Sequence, residues 1–242
     1  MTERLSDPRL IAVEENYKYI TNRIAEAAIR SGRYPEDITL LAATKTVPAE
    51  IINHAIACGL RYIGENRVQE FVDKFEKIDW KSDVTGHIIG QLQTNKVKYI
   101  IDKVKCIQSV DSIKLAKEIS RLAVKHDLCM PVLVEVNIGN EANKGGIDAE
   151  NLEEFLLEIS ELEGLSVNGL MTIPPICEKK AELCNYFSRM NQYFIDIKAK
   201  KLDNVNMNCL SMGMSSDYEE AILCGATMVR VGSSLFGERI YI

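Results

Sequence analysis

Apolar positions along the chain follow two periods in turn. Over residues 8–31 they recur at three- and four-residue spacing, which predicts a long amphipathic helix ended by Gly32 and then Pro35. Beyond it, short apolar runs alternate with helical patterns. The runs cover residues 38–45, 61–66, 86–90, 106–110, 131–137, 166–171, 207–211 and 228–232. The fifth, around Val132-Leu133-Val134-Glu135-Val136, is β-branched and has the plainest strand signature. Helical patterns open at Pro48, a favoured first-turn residue, and run over 68–78, near 95–101, after Asp111 or Ser112 as cap, and near 149–162.

Eight strand candidates, nearly all separated by helices, predict an α/β fold: a single (β/α)8 barrel with an extra N-terminal helix outside it. An open doubly wound sheet is the alternative, but eight units in 242 residues favour closure. No repeat, low-complexity tract or Pro/Gly/Ser-rich linker divides the chain, so residues 1–242 are expected to form one domain.

Charge narrows the partners. A net charge of -6 and a pI near 5.3 argue against a broad nucleic-acid surface, which needs excess Lys and Arg. The cluster Lys96, Lys98, Lys103 and Lys105 is then expected to be a solvated helix face. Seven cysteines, an odd number with no C-x-x-C spacing, suggest neither a disulfide framework nor a zinc cluster. They are expected to be mostly buried thiols of a reducing compartment. The polar, mixed-charge residues 1–10 do not make a signal peptide, and no apolar run reaches membrane-spanning length, so a cytoplasmic location is expected.

In a parallel barrel the chemistry gathers at the C-terminal ends of the strands. Those ends offer Lys45, Asn66, His87 or Gly90, Asp111, Asn137, Met171-Thr172, Ser211 and Arg230. Lys45 ends an apolar strand. Held in a mouth with little water, a lysine loses part of its preference for the ammonium form and can form a Schiff base with an aldehyde. By position alone a solvated strand-end lysine is the commoner outcome.

The segments after the seventh and eighth strands supply a second feature. Leu210-Ser211-Met212-Gly213-Met214-Ser215-Ser216-Asp217 leads into a helix, and Ser216 with Glu219 has capping-box spacing. Arg230-Val231-Gly232-Ser233-Ser234 is another small-residue turn. Barrel phosphate sites are commonly built from these two loops, although each taken singly is an ordinary Gly/Ser loop. A Schiff-base lysine opposite a phosphate cradle fits a sugar phosphate or pyridoxal 5′-phosphate. Arg230 tips the choice to the second, because its fork suits a ring nitrogen and would leave the pyridine unprotonated and the cofactor subdued. A salt bridge to a barrel carboxylate is the plainer role for Arg230.

The motifs carrying these residues are Ala43-Thr44-Lys45-Thr46, Gly64-Glu65-Asn66-Arg67-Val68-Gln69-Glu70, and the run from His87 through Gly90-Gln91 to Asn95-Lys96. Val134-Glu135-Val136-Asn137, Lys144-Gly145-Gly146, Gly169-Leu170-Met171-Thr172, 210–215 and Val229-Arg230-Val231-Gly232 follow in order. Over residues 40–237 this series resembles the pyridoxal-phosphate homeostasis proteins, relatives of the alanine racemase barrel domain and of fold type III. The resemblance implies that Lys45 carries the cofactor as an aldimine and that Asn66 is a polar contact to it. It makes Ser211, Ser215, Gly232 and Ser233 the phosphate-binding group and Arg230 the pyridine-nitrogen partner. It also implies a cofactor-buffering or delivery role, without robust catalysis, that serves pyridoxal-phosphate-dependent apoenzymes. One departure stands out: the family's aromatics flanking the histidine are Gly86 and Ile88 here, so looser packing about His87 is expected.

Lys144, in the loop after the fifth strand, is a second lysine able to meet an aldehyde; as a mobile loop residue it ranks below Lys45 and is a candidate transfer site. His87 is expected to be hydrogen-bonded scaffold, and no residue convinces as a second catalytic base facing the cofactor. An amino-acid racemase needs one on each face of the α-carbon, so a carrier is favoured over a racemase, with a Schiff-base aldolase third. A single barrel lacking the second domain of alanine racemase is expected to be a monomer.

Overall fold

The apolar runs form strands and the amphipathic stretches form helices in a computed structural model that describes residues 7–80, 83–141 and 143–237. The strands are β1 (Thr39–Ala43), β2 (Tyr62–Glu65), β3 (Thr85–Ile88), β4 (Cys106–Val110), β5 (Met130–Asn137), β6 (Leu165–Met171), β7 (Val205–Met214) and β8 (Met228–Val231). Each pairs in parallel with the next, and β8 pairs with β1, which closes the cylinder. A two-residue strand, Ile147–Asp148, not foreseen from the pattern, pairs only with β5. The helices are α1 (Pro8–Arg30), α2 (Ala49–Ala57), α3 (Val68–Phe75), α4 (Ile113–Lys125), α5 (Leu152–Ser160), α6 (Lys180–Lys200), α7 (Tyr218–Leu223) and α8 (Ser233–Phe236).

Strand alternation divides the core in two. Ala42, Ile63, Ile88, Ile107 and Val132 face outward into one continuous core beneath the helices. The lumen holds only two small apolar clusters, Leu41 with Ile89 and Met228, and Cys106 with Leu133 and Met171. Its remaining space is polar.

The N-terminal helix is not an appendage. Asp7 caps α1 by accepting from the Arg9 amide at 2.9 Å, and Gly32 at φ +75° turns the chain out of it. Its buried stripe, Val13, Ile20, Ile24, Ala27 and Ala28, packs against α2, α7 and α8. The last two helices have only six and four residues, too little to cover their strands. α1 therefore fills the gap they leave in the outer ring, where each buried large aliphatic contributes roughly 1.5–3 kcal/mol. Asn16 Nδ2 donating to Leu235 O at 3.1 Å and Arg33 Nη1 donating to Ala226 O at 2.7 Å tie the two ends of the chain together.

Two of the helical stretches differ from expectation for a visible reason. α3 stops at Phe75 because the Trp80 indole N–H takes the Phe75 carbonyl at 2.8 Å and stacks with Phe71 and Phe75. The stretch 95–101 is a 3-10 turn, Thr94–Tyr99, whose three-residue period suits burial of Val97 and Ile100. Lys96 and Lys98 lie over the Tyr99 ring on its outer side.

Gly169 permits the tight β6–β7 pairing. It sits at φ +147° beside a register shift, and a Cβ there would lie 1.8 Å from the Cys209 carbonyl oxygen. Gly169→Ala is expected to cost about 3 kcal/mol or more, seen as a lowered urea midpoint.

Candidate functional site

The mouth of the barrel is formed by the residues that follow each strand's last pairing. Alternation along β1 sends Leu41 and Ala43 to the lumen and Thr44 outward, which places half-buried Lys45 on the lumen side of the rim. Asn66 follows β2. It is pressed against Gly90, where a Cβ would meet the Asn66 carbonyl oxygen at 2.6 Å. Its buried side-chain Oδ1 has no hydrogen-bond partner, leaving an acceptor open for a ligand.

Below the rim a polar chain crosses the lumen. Arg230, 4% exposed, donates from Nη1 to Ser211 Oγ at 2.7 Å and from Nη2 to the Thr172 carbonyl at 2.9 Å. Ser211 Oγ donates onward to Gln108 Oε1 at 2.7 Å, and the Gln108 amide nitrogen stands 2.9 Å from His87 Nδ1. With the amide as donor, His87 is neutral and carries its proton on Nε2. Burial lowers the His87 pKa to about 4 and that of Arg230 to about 10, the latter partly offset by Glu135 and Asp217. Glu135 moves the other way. Burial and the neighbouring Asp111 charge push its carboxyl up to about 7 against the pull of Arg230. The two carboxylates converge under the loop after β5: a Cβ on Gly145 would lie 3.5 Å from Asp111 Oδ2 and 3.9 Å from both Glu135 oxygens.

The loops after β7 and β8 meet in a second feature. Ser215 Oγ accepts from the backbone amides of Gly232 at 3.1 Å and Ser234 at 3.3 Å. These amides open α8 and converge on one point, where the serine hydroxyl now stands as an anion's oxygen would. Gly232 leaves room there, since a Cβ would lie 3.2 Å from the Ala43 carbonyl. An open cleft of about 310 Å³, lined by Tyr19, Arg23, Lys180, Ser215, Ser216 and Ser234, reaches this turn from outside.

Several expectations change. The capping box does not form: the N-cap of α7 is Asp217, whose carboxylate instead accepts from the Met214 amide at 2.6 Å. Glu219 is taken by Arg23 of α1, in a two-point pair at 3.0 and 2.6 Å. Ser211 is not brought to the Ser215 turn; wholly buried and engaged by both Gln108 and Arg230, it supports the guanidinium rather than an anion. His87 itself is buried on the lumen side, edge-on to the Tyr62 ring at 6.0 Å, and the place before it is filled from the outer face. Gly86 is required because a Cβ would meet Phe71 Cε2 at 2.8 Å and Trp80 Cη2 at 3.0 Å, so these rings fill the space that an aromatic at 86 would take. Lys144 is tethered rather than mobile, paired with Glu141 and donating to the Pro174 carbonyl at 3.2 Å. Of the cysteines only Cys106 is fully buried; Cys129 is exposed and the other five are intermediate.

Gln108, Glu135 and the Thr172 carbonyl were not singled out from sequence. The available signal for the first two was a lone polar residue on the lumen face of an otherwise apolar strand.

Comparisons place this arrangement among known proteins. The profile of the family described as "Alanine racemase, N-terminal domain" matches residues 10–240. The chain is 45% identical, over 94% of its length and 98% of the relative's, to the pyridoxal phosphate homeostasis protein of Aquifex aeolicus. Its fold matches that of a protein of unknown function from Bifidobacterium adolescentis with TM-score 0.91 at 36% identity, covering 96% of this chain and 97% of that one. It also matches PipY of Synechococcus elongatus, solved with pyridoxal phosphate bound, with TM-score 0.76 at 33% identity over 88% of this chain and 100% of PipY.

The opposed shifts of His87 and Glu135 make a stability test. His87 binds its proton more weakly when folded, so its term loses stability as pH falls from about 6.5 to about 4. Glu135 binds its proton more tightly when folded, so its term gains stability as pH falls from about 7 to about 4.5. Each amounts to about 3 kcal/mol, from 1.36 kcal/mol per pH unit. Glu135→Gln is expected to be more stable than wild type above pH 7 and to lose that advantage by about pH 4.5, measured as urea midpoints across the range.

Proposed function

The chain belongs to the pyridoxal phosphate homeostasis proteins, within the alanine racemase N-terminal domain family, and on that premise we propose that it holds pyridoxal 5′-phosphate at the barrel mouth, as a Schiff base through Lys45, to buffer or deliver the cofactor inside the cell. The observation that carries this reading is Arg230: a buried guanidinium, pinned from two sides, in the lumen below the lysine.

The residues present fit the group. Lys45 would supply the amine that holds the cofactor's aldehyde. The amides of Gly232, Ser233 and Ser234 with the Ser215 hydroxyl make the phosphate end, once Ser215 turns from the two amides it now occupies. The unpartnered Asn66 Oδ1 offers an acceptor on the cofactor's polar edge. When bound, the cofactor supplies an electron-accepting ring whose strength depends on a protonated pyridine nitrogen. Arg230 uses two of its five N–H groups on Ser211 and Thr172, which leaves donors for that nitrogen. A guanidinium with a pKa of about 10 does not hand over its proton at neutral pH, so the pyridine stays unprotonated and the ring a weak acceptor. That is what a carrier needs and a racemase does not.

The same reading makes the protein a cytoplasmic monomer whose recipients are pyridoxal-phosphate-dependent apoenzymes, with Lys144 as a second amine at the same end of the barrel. Among the described residues no helix is long and apolar enough to cross a membrane.

The purified protein is expected to show a visible absorption band that borohydride removes, with the label retained on Lys45, and Lys45→Ala is expected to lack both. A featureless spectrum that stays featureless after adding pyridoxal phosphate would sink the proposal. Exchange of amino-acid α-protons in deuterated water, abolished in Lys45→Ala, would replace the carrier with a racemase.

A further inference from the structure

Behind β1 and β2, on the side away from the lumen, a charged network lies in the apolar layer beneath α3. Lys74 Nζ donates to Glu65 Oε1 at 2.7 Å, to Glu70 Oε1 at 2.6 Å and to the Thr44 carbonyl at 2.8 Å. Thr44 Oγ1 donates to the same Glu65 oxygen at 2.8 Å, and the Thr46 amide donates to the Glu70 oxygen that Lys74 holds. Glu65 is only 2% exposed, and its Oε2 has no hydrogen-bond partner. Ile52, Ile63, Phe71, Ile78 and Trp80 wall the network in.

Three charges in such a layer are costly to desolvate, and well-packed apolar residues would stabilise the fold as well or better. What they do uniquely is grip the backbone on both sides of Lys45: the carbonyl before it and the amide after it. The grip falls where the chain is strained. Thr46 has φ +63°, a left-handed conformation that a β-branched residue avoids and that costs roughly 1–3 kcal/mol. This turn ends β1 and sets the direction in which the Lys45 side chain leaves the backbone.

We infer that Lys74, together with Glu65 and Glu70, is the positioning device for Lys45, clamping the strained Thr44–Thr46 turn so that the amine is presented to the lumen. None of the three touches the cofactor site; they act through the backbone. The inference rests on Lys45 being the cofactor's lysine.

The test compares wild type, Lys74→Met, Glu70→Ala, which removes the acceptor of the Thr46 amide, and, as a remote control, Lys117→Ala, whose pair with Glu158 is exposed. Each is checked for folding by far-ultraviolet circular dichroism. Pyridoxal phosphate affinity is then measured together with the ellipticity induced in its visible band, which reports a fixed orientation and does not respond to a loss of global stability. Both network variants are expected to bind about tenfold more weakly or worse and to lose most of the induced ellipticity, with the control unchanged. Adding Thr46→Gly to Glu70→Ala is expected to recover part of the signal, because glycine takes a positive φ without strain. Should Lys74→Met fail to fold, Glu70→Ala, which keeps the Lys74–Glu65 pair, decides alone. Folded variants that match wild type in affinity and ellipticity overturn the inference. A wild-type protein that traps no pyridoxal phosphate on Lys45 overturns the reading of the site itself, and the two failures are therefore distinct.

Discussion

A guanidinium shut inside a parallel barrel has to be answered by the strands around it, and Arg230 is answered by several. Ser211 on β7 and the carbonyl following β6 take its N–H groups, while Glu135 on β5 and Asp217 beyond β7 supply opposing charge at longer range. Ser211 is in turn oriented by Gln108 on β4, and Gln108 by His87 on β3. One buried cation thus dictates side chains around the lumen, because each partner it donates to brings a further polar atom to satisfy. The consequence for packing is plain: with the lumen given over to this chain, the main apolar core lies outside the strands.

The same partition separates two kinds of polar chemistry. Inside, the chain from His87 to Arg230 is near-neutral apart from the guanidinium and leads toward the pyridine end of the proposed site. Outside, Lys74, Glu65 and Glu70 hold the rim from behind. Lys45 stands where the two meet, at the point where β1 leaves the cylinder. The turn proposed for the phosphate has its own support: α8 begins on the amides that Ser215 accepts from, and α8 is held in turn by α1.

How much of this was legible depended on the range of the signal. The barrel and the residues at its mouth could be read, because alternation of short apolar runs with helices is a local pattern, and strand ends follow from it. Lys45 and Asn66 come just after β1 and β2, and Ser215 and Gly232 follow directly on β7 and β8. Ser211 was misplaced for a definite reason: β7 continues to Met214, past the apolar run, so Ser211 lies within the strand and not at its end. Glu135 and Gln108 were visible as polar interruptions, but their partners stand across the lumen on strands distant in sequence. The departure at Gly86 looked like lost packing because Phe71 and Trp80, which compensate for it, come from a different element. The ring position of α1 was hidden likewise, since nothing local reveals that α7 and α8 are too short.

That ring position sets an order of events during synthesis. α1 precedes β1 in the chain, yet its partners α7 and α8 follow β7 and β8, and the bond from Asn16 to Leu235 spans 219 residues of sequence. Until the final turns emerge, the stripe of Val13, Ile20 and Ile24 lacks the surface it is built to cover. The nascent barrel therefore carries an open seam and a sticky helix at once, and it can seal only once α8 has been made. Until α8 joins the ring, the growing chain exposes that stripe to other chains, and the last contacts made are the ones that protect it.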